Sequence, residues 1–226
     1  MIGAVAGLVI GSTGHLYLAG GGETSHELVR SFIRDCGGPG RARILVLPQV
    51  SQVGPNAGVG SKELLESQGA KHVVILSNEQ PPEVRTANLK AALIGINGVW
   101  IPGGQQERFL NYFGHATARE ILGEAWRRGV HFYGTSAGAM IMADTAIYGP
   151  GENGALVRTG QGLGFLPLVV DTHYAERKRQ ARLAEAMRIA KADGLGLSER
   201  DWVVFANGRM IRMVGTPARI NALTAR

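Results

Sequence analysis

The five residues Gly134-Thr135-Ser136-Ala137-Gly138 carry the strongest chemical signal in the sequence. They form a G-x-S-x-G pattern between an apolar run ending at Tyr133 and an apolar helical start, Ala139–Ala143. Strand, tight turn and helix in that order make a nucleophile elbow, in which small flanking residues let strand and helix approach and the turn lifts the serine hydroxyl clear. The helix that follows points its free N–H groups at the same place, so the Ala137 N–H can donate to a developing oxyanion. Ser136 is the candidate nucleophile.

A serine nucleophile needs a base. Of the six histidines, His15, His72 and His131 stand at the starts of apolar runs. That is the end of a parallel sheet opposite the crevice in which such folds place their sites. His26 and His115 lie in or beside helical segments. His173 alone follows the end of an apolar run, Leu168–Asp171, and no other histidine comes after the serine. An acid must then hold the imidazole and stabilise its protonated form. Asp144, Asp171, Glu176, Glu199 and Asp201 are available. Asp171 lies two residues from His173 on an extended chain and is badly placed to reach the ring. Residue type and spacing leave Glu199 and Asp144 level.

The second oxyanion donor is expected from another loop. Val99–Ile101 is followed by Pro102-Gly103-Gly104-Gln105-Gln106, whose glycines leave backbone N–H groups free to face a ligand, Gly104 among them. A third glycine loop, Gly20-Gly21-Gly22-Glu23, resembles half of a dinucleotide loop. No G-x-G-x-x-G continues from it, so a nicotinamide cofactor is rejected.

Short apolar runs bounded by Gly and Pro must position these residues. They lie at His15–Ala19, Arg43–Leu47, His72–Ile75, Gly98–Ile101, Val130–Tyr133, Leu168–Asp171 and Trp202–Ala206, with Met210–Val214 as hairpin partner of the last. Helical periodicity falls between them at Ser25–Asp35, Gly60–Gln68, Val84–Gly95, Glu107–Arg128 (interrupted near Gly114) and Arg177–Ala192. The early runs are continuously apolar, as in parallel strands covered on both faces. The expected fold is α/β: a three-layer α/β/α sandwich around a mostly parallel sheet. Gly149–Gly164 is the longest stretch without a pattern and reads as a disordered loop or a lid.

The chain has 226 residues, 45% hydrophobic and 19% charged, with one cysteine, Cys36. That excludes an internal disulfide framework and a Cys-rich zinc site, and makes the cytoplasm the default compartment. No metal or other cofactor is expected. The formal charge is +6, but the basic residues are scattered and aromatics make up 6%, so nucleic acid is not the expected partner. Ile2–Ile10 is apolar but too short to span a bilayer. Residues 1–13 read as a leader or disordered segment and 14–226 as one hydrolase domain.

Taken in order, the pieces Gly20–Glu23, Pro102–Gln106, Gly134–Ala139, Asp171-Thr172-His173 and Gly194–Glu199 resemble the S51 serine peptidases, the family of cyanophycinase and aspartyl dipeptidase. The resemblance implies a flavodoxin-like fold, similar to the class I glutamine amidotransferase domain. It also implies a Ser-His-Glu triad, which favours Glu199 over Asp144, and a homodimer. After His173 come Tyr174, Arg177, Arg179 and Arg182, similar to the cyanophycinase branch. There such arginines and a Gln of the Gly-Gly loop, here Gln106, hold the aspartate of a β-aspartyl-arginine unit; Asp171 and Thr172 stand at matching substrate-side positions. Guanidinium forks suit that task because they grip carboxylates with two hydrogen bonds. Arg177 and Arg179 would lie about 200° apart on a helix, so the set shares one pocket only if Arg177 precedes the helix. The sequence departs from the branch at Gln105, where Asp is usual, at Thr172, where Gln is usual, and at Ser198, where Asp often precedes the triad acid.

The expected function is an acyl-enzyme hydrolase cutting amide bonds at aspartyl residues, on cyanophycin or an Asp-containing dipeptide. An α/β-hydrolase esterase fits less well, since that fold places its acid before the histidine. A catalytically inert protein that binds acidic peptides is the reading from another class. A glutaminase is disfavoured because that chemistry in the related fold uses Cys where Ser136 stands.

Overall fold

The computed structural model describes residues 13–52, 54–151 and 157–221. All but Thr13 of the expected leader lies outside them. The strands are β1 (Leu16–Ala19), β2 (Arg43–Val46), β3 (His72–Ile75), β4 (Gly98–Ile101), β5 (His131–Thr135), β6 (Ala143–Gly149), β7 (Arg158–Gln161), β8 (Leu166–Thr172), β9 (Asp193–Leu197), β10 (Trp202–Ala206), β11 (Arg209–Val214) and β12 (Ala218–Ile220). The α-helices are α1 (His26–Asp35), α2 (Val59–Ser67), α3 (Pro82–Ala92), α4 (Gln106–Phe113), α5 (His115–Arg127), α6 (Ala137–Met140) and α7 (Gln180–Ala190).

Seven strands form the main sheet in the order β11-β10-β1-β5-β4-β2-β3. From β1 to β3 every pair is parallel; β10 and β11 add an antiparallel hairpin at one edge, as expected for Met210–Val214. Successive side chains of a strand point to opposite faces, and both faces are buried here. Leu16, Leu18, Val99 and Phe132 face a core completed by Leu89, Phe109, Leu122 and Leu183 of α3, α4, α5 and α7. Tyr17, Ile44, Trp100 and Tyr133 face a second core, completed by Leu28 and Phe32 of α1 and Leu65 of α2. Burial on both sides is why these strands read as unbroken apolar runs. Helix α1 shows the local logic: the Ser25 hydroxyl caps it, accepting from Leu28 N–H at 3.3 Å. Its residues Leu28, Val29, Phe32 and Ile33 then form one buried stripe. Helices cover both faces of a mostly parallel sheet, which is the flavodoxin-like α/β/α arrangement.

A second sheet runs β12-β9-β8-β6-β7, with β6, β8 and β9 mutually parallel. Most of it was not expected. The helical start at Ala139–Ala143 is only the single turn of α6, after which the chain extends into β6. Gly149–Gly164 is not patternless: β7 pairs antiparallel with β6, Thr145 opposite Gln161 and Ile147 opposite Thr159. The Tyr148 ring lies across Gly160, where any β-carbon would collide with it. Residues 152–156, at the centre of the expected loop or lid, lie outside the described residues. Strand β9 escaped because Gly194 and Gly196 break its apolar pattern; they leave room for Met187 and Tyr174. The helix expected from Arg177 begins only at Gln180 and stops at Lys191, whose left-handed φ of 53° ends it. Among the described residues, no helix is long and apolar enough to cross a membrane.

Candidate active site

The C-terminal ends of β1, β5, β8 and β9 meet at one rim of the molecule. Ser136 sits where β5 turns into α6, with φ 51° and ψ −117°, a conformation that non-glycine residues rarely hold. Two glycines make the turn possible. A β-carbon on Gly134 would collide with the carbonyl of Gly138, and one on Gly138 with the carbonyl of Ile101. The elbow is tied to β1, since Ser136 N–H donates to Ala19 O at 3.0 Å.

His173 follows β8 directly, also with a left-handed φ of 50°, and is 8% exposed. Its N–H donates to Gly20 O at 2.9 Å. The ring reaches in two directions: Nε2 is 2.9 Å from Ser136 Oγ and Nδ1 is 2.7 Å from Glu199 Oε1. An ionised carboxylate only accepts hydrogen bonds, so Nδ1 carries the proton and Nε2 is left to accept from the serine hydroxyl.

Glu199 belongs to the turn between β9 and β10. Three bonds bind that turn to the segment after His173. Tyr174 N–H donates to Leu197 O at 3.1 Å, Ala175 N–H to Ser198 Oγ at 3.3 Å, and Glu199 N–H to Glu176 Oε2 at 3.2 Å. Asp144 is elsewhere, on β6, in an exposed ion pair with Arg119 at 2.6 Å. The geometry therefore separates the two acids that residue spacing left level.

The loop expected to supply the second N–H lies against the serine. A β-carbon on Gly103 would stand 3.4 Å from Ser136 Cβ. Gly104, at φ 153°, is pressed onto Val50, and Gln105 N–H donates to Val50 O at 2.8 Å. Ala137 is the first residue of α6, so its N–H has no partner within the helix.

The expected substrate-side residues split into two groups. Gln106 Nε2 and Thr172 Oγ1 both donate to the buried Met140 Sδ, at 3.0 and 3.3 Å. Asp171 is fully buried and accepts from Thr172 N–H at 2.8 Å, Arg179 Nη1 at 3.0 Å, Arg182 Nε at 2.7 Å and Arg182 Nη2. Arg179 also donates to Thr172 O at 2.8 Å. Burial, then the repulsion of Arg182, pulls the Arg179 guanidinium below its ordinary range. Arg177 is exposed, precedes α7 as the shared-pocket geometry requires, and also repels Arg179. Two arginines thus share one carboxylate, with a third beside them.

Several residues at this site were not singled out for their roles. Gly21 and Gly22 resemble half of a cofactor loop and belong to the first piece of the family resemblance, but neither reading gives them a part in placing His173 or Glu199. A β-carbon on Gly21 would collide with the His173 imidazole, and one on Gly22 would stand 2.8 Å from Glu199 Cβ. Three glycines directly after a strand, with no helix starting at once, were the available signal. Met140 gave none beyond its type, and Asp201 stood out only as one of five candidate acids for the imidazole. A cavity of about 740 Å³ opens beside the site, lined in part by Gly21, Thr24, Glu27, Glu176 and Glu199.

Among the described residues one group has metal-ligand chemistry: His15, Asp35 and His131, at the opposite end of β1 and β5. One ring nitrogen of each histidine and a carboxylate oxygen are already engaged. His131 Nδ1 accepts from His15 N–H at 2.9 Å, His15 Nδ1 is 2.6 Å from Asp35, and Asp35 also accepts from the Tyr17 hydroxyl.

The same architecture occurs in a solved peptidase from an acI-B1 Actinobacterium, with a TM-score of 0.68 over 94% of this chain and 93% of that one, at 18% identity. The chain is 30% identical over 213 residues to the cyanophycinases of Nostoc sp. strain PCC 7120 and Trichormus variabilis, covering 90% of this chain and 71% of each relative. The family model described as peptidase family S51 matches residues 16–213, a span holding the elbow, His173, the glycine loops and Glu199. Sequence, fold and the placement of these residues lead to one assignment: the chain is a peptidase of family S51.

Proposed function

We propose that the chain hydrolyses amide bonds at aspartyl residues through a Ser136 acyl-enzyme, with β-aspartyl-arginine units of the cyanophycin type as substrate. The observation that carries the mechanism is the unbroken chain from Ser136 Oγ through the imidazole to Glu199, at 2.9 and 2.7 Å. His173 Nε2 takes the hydroxyl proton as Oγ attacks the scissile carbonyl carbon. Glu199 stabilises the imidazolium that forms, and the N–H groups of Ala137 and Gly104 receive the oxyanion. The imidazolium returns its proton to the leaving amine. Water, deprotonated by the same ring, then releases the acyl group and restores the serine.

The substrate class follows from charge. Arg179 and Arg182 share a single internal carboxylate, Asp171, and the exposed Arg177 lies near enough to repel Arg179, so the guanidinium groups of this cluster outnumber the carboxylate they hold. An anionic group bound there is favoured, and the guanidinium edges left free by Asp171 suit a carboxylate. Gln106 and the fully buried Thr172 converge on Met140 of α6, the helix that follows Ser136, and so brace the elbow from beneath. The name cyanophycinase, carried by the similar proteins of Nostoc and Trichormus, supports the same class. An aspartyl dipeptidase is the second reading, favoured by Thr172 and Gln105, which stand where the cyanophycinase-like pattern differs.

Two assays test this. A fluorophosphonate probe should label the protein at Ser136 and leave the Ser136→Ala variant unmodified. Incubation with cyanophycin and with α- and β-aspartyl dipeptides, read by mass, should release β-aspartyl-arginine. Release from Asp-X dipeptides alone would move the assignment to a dipeptidase, and peptide binding without labelling would end the hydrolase mechanism.

A further inference from the structure

Asp201 is a carboxylate with 4% exposure, two residues after the proposed triad acid, and the reaction scheme gives it no part. Both of its oxygens are used. Ser198 N–H donates to Oδ2 at 2.9 Å and Thr216 N–H donates to Oδ1 at 2.9 Å. Its backbone is used as well: Asp201 N–H donates to Ser198 O at 2.9 Å, closing the turn that displays Glu199, and Gly20 N–H donates to Asp201 O at 2.9 Å. Gly20 in turn accepts the His173 N–H. Gly215, with a left-handed φ of 87°, brings the β11–β12 connection onto the carboxylate, where any β-carbon would collide with Oδ1. One residue therefore closes the Glu199 turn, clamps it to the β11–β12 connection and links it to the loop that holds His173.

We infer that Asp201 is the positioning residue for Glu199, setting the height and direction from which that carboxylate meets His173 Nδ1. The inference rests on the Ser-His-Glu reading. A carboxylate suits the task because it presents two acceptors to two converging N–H groups. A carboxamide supplies one acceptor and turns its NH2 against the other N–H, so the turn must shift. A misplacement of about 1 Å in such a constellation costs on the order of 10²-fold in rate.

The test reads the rate at which a fluorophosphonate labels Ser136, so it needs no knowledge of the natural substrate. Wild type, Asp201→Asn, Glu199→Gln and the double variant are compared across pH, well below each protein's melting temperature. Asp201→Asn should label roughly 10- to 100-fold more slowly and with an altered pH profile. In the Glu199→Gln background the same change should have almost no further effect, because a residue acting through Glu199 has nothing left to position. Equal slowing in both backgrounds would show a general structural role and overturn the inference, as would a single variant labelled at the wild-type rate. If Asp201→Asn does not fold, Asp201→Thr, which keeps one acceptor, takes its place in the same cycle. Glu199→Gln labelled like wild type would instead sink the triad itself, an outcome distinguishable from the others.

Discussion

Gly21→Ala is a single-methyl test of the site. Gly21 has φ 111°, and a β-carbon there would stand 2.5 Å from His173 Nε2 and 2.9 Å from Nδ1. Nonbonded heavy atoms settle at about 3.5 Å or more, so the imidazole must retreat by roughly 1 Å. The Ser136–His173 bond, now 2.9 Å, would open beyond hydrogen-bonding range. The expected loss is about 10²-fold in turnover and in fluorophosphonate labelling. The strained backbone adds a stability cost of about 1–3 kcal/mol, a drop of roughly 2–4 °C in melting temperature for each kcal/mol in a chain of this size.

Gly38→Ala separates the two effects. Gly38 has φ 84°, but nothing lies within 4 Å of its missing β-carbon. It should show a similar fall in melting temperature with labelling unchanged. Measured well below both melting temperatures, a Gly21→Ala enzyme within threefold of wild type would refute the packing argument. So would a Gly38→Ala enzyme that lost activity in parallel.

Three further outcomes follow from the same structure. Asp171→Ala removes the buried acceptor between Arg179 and Arg182 and should cost about 3 kcal/mol or more in urea unfolding; an unchanged midpoint would mean that the carboxylate does not anchor the arginines. Asp144→Ala breaks only an exposed pair with Arg119, so activity should hold and stability should fall by less than about 1 kcal/mol, whereas loss of labelling would revive Asp144 as the triad acid. Burial, then the nearby His15, lowers the His131 pKa below its ordinary 6.5, with Asp35 opposing. As pH falls through that value the unfolded chain takes up the proton first, so stability declines until His131 titrates in the folded protein. His131→Asn, whose amide oxygen can still accept the His15 N–H, should flatten that decline in thermal melts, and an unchanged slope would show that other groups cause it.

Much of this fold is legible because its central strands are buried twice over. Tyr17 and Leu18 both need apolar company, on opposite faces, and that doubles the signal per residue. The second sheet lacks this redundancy. Strand β7 reads Arg-Thr-Gly-Gln and β9 reads Asp-Gly-Leu-Gly-Leu, because close neighbours (Tyr148, Met187 and Tyr174) occupy the space that side chains would fill. Their glycines look like loop in the sequence and act as packing surface in the fold. The arginine set was legible by type but not by partner: guanidinium groups flagged an anion, and only the short turn before Gln180 shows that Asp171 takes the first share of them.

The distance between the proposed nucleophile and the proposed base depends on something no motif encodes. Ser136 and His173 both hold left-handed backbones, φ 51° and 50°, each a strain of about 1–3 kcal/mol that the surroundings must offset. Both are fastened to consecutive carbonyls at the end of β1: Ser136 N–H to Ala19 O, His173 N–H to Gly20 O. These residues sit 37 positions apart in the chain, each just past a strand of a different sheet, yet their N–H groups meet the two carbonyls of adjacent residues. The Gly20 carbonyl can take this place because Gly20 has no side chain; a β-carbon there would collide with the carbonyl of Ser198, in the turn that carries Glu199. Backbone at the end of one central strand therefore fixes where the elbow and the residue bearing the imidazole start, and the turn that carries the carboxylate packs against the same backbone.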